Sequence, residues 1–193
     1  MRCTAHAHAT AVRLLADRAP GLLKTLGEHD PDHVLGRTLS ECDRLGDGRA
    51  DHSHQHRRHG VHVQVVTDPE GQLLWISPAL PGRAHALTVA RTHRIDRICE
   101  RQEVPIVADR AYIGAGSWVT IAIRHPPSAI HRPPNGGLSP TERTLNRAPA
   151  QVRAPVERGV ARLKSWRIFR RSRCSPNRTT DIAAAVLTLE RQG

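Results

Sequence analysis

The chain has 193 residues, with 29 Lys and Arg against 18 Asp and Glu, so its formal net charge is +11 with all 13 His neutral. That excess calls for an anionic partner, and with three Trp, one Tyr and one Phe there are too few aromatics for a base-stacking surface, so nucleic-acid binding would be led by phosphates. No apolar run approaches the roughly 20 residues that span a bilayer, and no secretory h-region opens the chain; a soluble, intracellular protein is expected.

Along residues 5–26, Val12, Leu14, Leu15, Leu22, Leu23 and Leu26 are interrupted by Ala19-Pro20-Gly21, which predicts two short helices with a turn between them. His33-Val34-Leu35 with Thr38-Leu39 reads as a short strand, and the polar residues 43–60 as loop or strand edge. Val61, Val63, Val65 and Val66 form a β-branched run, Asp68-Pro69-Glu70-Gly71 a turn, and residues 72–77 the returning strand. From Ala84 to Arg101, Leu87, Ala90, Ile95 and Ile98 predict one helix with a basic outer face.

Residues 104–108 are a short apolar run suited to a strand buried on both faces, ending at Asp109, and residues 118–123 alternate as one more strand. The Pro- and Gly-rich segment 125–140 is expected to be a loop. From Thr141 to Trp166 apolar residues recur at helical spacing, although Pro149 and Pro155 should each kink or begin a helix. Asn177 to Leu189 predicts a buried C-terminal helix. Three strands, a helix, two strands and then helices make an α/β layer pattern with a mixed sheet. Cys3, Cys42, Cys99 and Cys174 are far apart with no C-x-x-C pair, so reduced, buried thiols are expected.

Two acids are suggestive. Asp109 closes a buried strand, where α/β sheets bind ligands, and Glu157 lies on a late helix that could bring a second carboxylate to a divalent metal. The plainer reading has Asp109 capping the next helical turn and Glu157 paired with Arg153 at i−4 spacing. The run His52, His54, His56, His59 and His62 could form a nickel, copper or zinc patch on a strand face; next to Arg57 and Arg58 it reads better as a basic, exposed loop. Lys164, Arg167, Arg170, Arg171 and Arg173 put five cations in ten residues, a phosphate rail beside Glu157 or simply a solvated face.

The stretches His59–Asp68, Ala108-Asp109-Arg110-Ala111-Tyr112-Ile113-Gly114 and Pro155–Trp166 resemble the catalytic domain of bacterial insertion-sequence transposases of the DDE type, which are ribonuclease H-like metal nucleases. The resemblance covers roughly residues 28–191, and its most specific part is Arg153-x3-Glu157-x6-Lys164. It implies a ribonuclease H-like α/β fold over residues 28–193 behind an N-terminal helical remnant at residues 1–27. It further implies two Asp and one Glu holding two divalent ions, Mg2+ or Mn2+, for in-line attack on a phosphodiester of DNA. Asp109 matches the second Asp and Glu157 the Glu, with Arg153, Lys164, Arg167, Arg170, Arg171, Arg173, Arg57 and Arg58 as DNA contacts.

This chain departs from the pattern in three places. The first Asp is absent from Leu35-Gly36-Arg37-Thr38-Leu39, either replaced by Gly36 or lost in a one-residue deletion, while Asp32, Asp43 and Asp47 stand nearby in sequence. Ala150 stands where the family has a Tyr, and Ala86 where an acid usually follows the His. A truncated, degenerate copy is the expectation. Two functions therefore remain open: DNA transposition by metal-dependent cleavage and strand transfer at transposon ends, or a catalytically silent DNA-binding remnant that could join the complex of an active relative. The resemblance implies a nucleoid-associated bacterial protein and leaves a homo-oligomer open.

Overall fold

The computed structural model describes residues 2–28, 33–42, 52–53, 58–121 and 140–192. Helices α1 (Arg2–Ala16) and α2 (Leu22–Glu28) lead into strand β1 (His33–Cys42), followed by β2 (His52–Ser53), β3 (Arg58–Thr67), β4 (Leu73–Ile76) and β5 (Leu80–Pro81). Then come α3 (Ala86–Thr92), α4 (Ile95–Gln102), β6 (Ile106–Ala108), a 3-10 turn at Arg110–Tyr112, β7 (Val119–Ile121) and α5 (Pro140–Ser165). A second 3-10 turn at Arg167–Phe169, strand β8 (Arg171–Ser172) and α6 (Pro176–Glu190) complete the order.

The sheet runs β2-β3-β1-β6-β7, with β4 and β5 also on β3 and β8 on β1. β1, β3 and β4 pair antiparallel, whereas β6 is parallel to β1 and β7 parallel to β6. An antiparallel three-strand meander extended by two parallel strands is the ribonuclease H-like arrangement, and helices cover both faces.

Alternation along β3 explains the two layers. Val61, Val63 and Val65 point to the α5 and α6 side, where they pack with Leu163, Phe169 and Val186. Val66 points the other way, into a core with Leu26, Leu35, Ala90, Ile95 and Tyr112. Val63, Val65 and Val66 are fully buried, and each such side chain contributes about 1.5–3 kcal/mol. The N-terminal helices join this packing: Leu22 and Leu26 are buried in the second core, and Thr188 Oγ1 on α6 donates to the Leu15 carbonyl at 2.8 Å.

Three expectations need correction. The strand expected around residues 33–39 runs ten residues, because β3 pairs with it from Val34 to Glu41. The single helix expected over 84–101 is two, broken where Arg94 takes a left-handed φ of 53°. The apolar spacing shows why: Ala90 and Ile95 are five positions apart, out of step for one helix face, and restarting at Ile95 lets Ile95 and Cys99 both be fully buried. Finally, neither Pro149 nor Pro155 begins a helix, since α5 runs through both. Tertiary bonds hold it beyond Pro155: Arg158 donates to the Glu70 and Pro69 carbonyls at 3.0 and 2.7 Å, and Arg162 to Gln72 Oε1 at 2.8 Å. Residues 122–139, including most of the expected loop, lie outside the described residues.

Candidate active site

Asp109 stands directly after β6, at the carboxyl end of a parallel strand. Its Oδ1 accepts from the Ala111 amide at 2.9 Å and caps the 3-10 turn. Glu157, on α5, places Oε1 3.2 Å from Arg153 Nη2. Both plainer readings of these acids therefore hold as local geometry. The two carboxylates nevertheless line one cavity of about 210 Å³, together with Gly36, Arg37, Arg153 and Val156.

The register explains this meeting. Val34 and Leu35 of β1 pair with Val107 and Ala108 of β6 in parallel, so one step further on Gly36 stands beside Asp109, on the same face. Gly36 also pairs with Val65, whose side chain belongs to the α5 layer. Arg37 pairs with Gln64, and Gln64 Nε2 donates to the Ala86 carbonyl at 3.2 Å and Tyr112 Oη at 3.3 Å, which puts it on the opposite layer. Burial raises the Tyr112 phenol above its ordinary value, and the Asp109 charge adds to that rise against smaller opposing effects of Arg37 and the Gln64 bond.

The two-ion site implied by the resemblance asks for more oxygen ligands than these residues supply. The lining carries two carboxylates, each with one oxygen engaged, and the guanidinium of Arg153, which holds Glu157. At Gly36, a Cβ would fall inside the Val156 Cγ1 methyl, with Val156 Cβ and Cγ2 both at 3.2 Å. No cluster of three or more His, Cys, Asp or Glu suited to a metal ion occurs among the described residues. Hard cations want a full oxygen set; these residues do not fit the pair of ions. Asp32, Asp43 and Asp47 lie outside the described residues.

The basic residues divide by what they already hold. Arg153 is paired with Glu157, Arg58 with Glu41 at 2.7 Å, and Arg170 Nε donates to the Lys164 carbonyl at 2.6 Å, closing the end of α5. Arg171 lies opposite Glu41 in the β1–β8 register, Lys164 is half-buried, and Arg167 and Arg173 are exposed. Arg57 falls outside the described residues, as do His54 and His56. Of the histidine run, His52 and His59 sit edge to face at 5.0 Å and His62 is buried in β3. Cys42 and Cys99 are buried free thiols and Cys174 is a half-buried one.

The sequence alone does not single out Val156, Arg158 or Gly159. One signal is present: an isolated Gly inside a helical pattern commonly marks a close approach, and a Cβ on Gly159 would stand 2.5 Å from Thr67 Cγ2.

A ribonuclease H-like sheet, with one acid at the end of its fourth main strand and another on the helix packed across it, defines the class of DDE-type nuclease domains. The chain belongs to the DDE superfamily endonucleases, whose family model matches residues 38–191. The match begins two residues after Gly36. Endonucleases of this superfamily act on DNA, typically with divalent metals, and the domain is of transposase type. No curated protein and no solved structure matches the chain. Among the described residues no helix is long and apolar enough to cross a membrane.

Proposed function

We propose that this chain is a transposase-type DNA-binding domain that retains the grip on DNA phosphates and has lost strand cleavage and transfer. Residues 28–193 form the transposase-type domain and residues 1–27 its N-terminal helical piece. The observation that carries the reading is the cavity lining: Asp109 and Glu157 share it with Gly36, Arg37 and Arg153, so among the described residues two acids stand where chemistry on two ions needs three. The net charge of +11 and the cations from Arg153 to Arg173 supply a sequence-blind attraction for duplex DNA.

In this role Arg167 and Arg173 meet phosphates directly, while Arg153 exchanges its Glu157 partner for a phosphate oxygen as DNA approaches. Nucleoid association follows from the same charge. The second reading, an active nuclease using Mg2+ or Mn2+ at Asp109 and Glu157, is favoured by one observation, that both acids face one cavity. Fluorescence anisotropy with unrelated labelled duplexes tests the binding reading. Similar affinities that fall steeply with salt support it; a flat salt dependence contradicts it.

A further inference from the structure

We infer that Val156 occupies the seat of a missing carboxylate at position 36, so that a charge-bearing side chain at 36 and a valine at 156 exclude each other. The inference deepens the reading of a domain that no longer cuts, and rests on it. Two independent geometries locate the seat. The parallel register places Gly36, not Arg37, beside Asp109 and on the α5 face. The cavity between β1 and α5 has Gly36, Asp109 and Glu157 on its walls, so a side chain growing from position 36 would emerge between the two acids.

The obstacle is one residue before Glu157. Val156 Cγ1 already fills the point a Cβ at 36 would take. A valine in a helix has one strongly preferred rotamer, so the methyl cannot simply swing aside. The helix cannot easily back away either, because Arg158 and Arg162 tie α5 to the 69–72 turn and Gly159 is docked on Thr67. Losing the acid and closing the space it left are thus two separate changes, and undoing one leaves the other. Without the Val156 γ-methyls the nearest remaining atom, its Cβ, would be 3.2 Å from the new Cβ, a gap that a small backbone adjustment relieves.

The test uses the full chain with two sets of variants. The first is Gly36→Asp, Gly36→Asp with Val156→Ala, and Arg37→Asp; the second is Gly36→Ala, Val156→Ala and the two together. Mn2+ binding is read by calorimetry and folding by thermal melts. Gly36→Asp alone is expected to lower the melting midpoint by about 5 °C and to gain no Mn2+ affinity. Adding Val156→Ala should recover part of that loss and tighten Mn2+ at least tenfold over the unmodified chain; Arg37→Asp, on the other face, should not.

A folded Gly36→Asp/Val156→Ala chain that binds Mn2+ no better than the unmodified one overturns the inference, as does Gly36→Asp alone binding equally well. Should the charged variants not fold, the alanine set decides by itself: melting decreases that are less than additive support the steric coupling, and additive ones refute it. Duplex binding measured in parallel separates the two claims, since a chain that ignores DNA at low salt defeats the proposed function whatever Mn2+ shows.

Discussion

Gly159 of α5 is seated on Thr67 at the end of β3, so closely that a Cβ on the glycine would come within 2.5 Å of the Thr67 γ-methyl and 3.3 Å of Leu73 Cδ2. That seat fixes how near the Glu157 helix lies to the sheet. With the β1–β6 register, it brings both acids to one cavity.

Gly159→Ala should therefore destabilise the fold. Alanine favours a helix over glycine by about 1 kcal/mol, but overpacking costs about 1–3 kcal/mol, and here the neighbours are a stiff β-branched residue and a buried Leu. A net loss of about 1 kcal/mol in urea unfolding is expected. A midpoint unchanged or raised would mean that α5 is not held at this distance.

Replacing Arg167 and Arg173 with Ala should reduce the salt slope of duplex binding by about 2, since each phosphate that is no longer neutralised takes away roughly 0.9. Both side chains are exposed, so stability should change by less than about 0.5 kcal/mol. Arg170→Ala is the contrast: its Nε closes the end of α5 on the Lys164 carbonyl, so about 1 kcal/mol of stability should go with it. Equal stability for both sets would remove the distinction between the phosphate rail and the helix cap.

The pH profile of unfolding should bend on both sides. Burial, with help from Asp96, pushes the Cys99 thiol from 9.0 to about 12. The unfolded chain then releases that proton first, so the contribution is whole below about pH 9 and is lost between 9 and 12. Buried Tyr112, also raised, adds to the loss above pH 10. On the acid side, burial lowers His93 below 6.5, so the unfolded chain takes up the proton first and stability falls as pH drops below 6.5. Cys99→Ala should flatten the 9–12 limb in denaturant titrations; an unaltered limb would show that the thiol is not what titrates there.

Much of this architecture is legible in the residues because short periods carry it. The valines of β3 alternate between two covered faces, the run into Asp109 is a short buried strand, and Glu157 sits on a helical apolar pattern with Arg153 one turn back. What is not legible depends on chain partners far away in sequence. Arg158 ties α5 to the Pro69 carbonyl far back in the chain, and the length of β1 depends on what β3 offers it. Which of Gly36 and Arg37 stands beside Asp109 is a question of register, and only β6 and β3, paired on either side, answer it. The helix break at Arg94 is visible in principle, as the five-residue gap from Ala90 to Ile95.

Whether this DDE-family domain holds DNA without cutting it is decided by incubating the full chain with a labelled, supercoiled or linear duplex across a titration of Mg2+ and of Mn2+. A complex at low salt and no nicking above background at any metal concentration are expected. Nicking that Asp109→Ala abolishes would contradict it, and would mean that one of Asp32, Asp43 or Asp47 completes the site with Asp109 and Glu157.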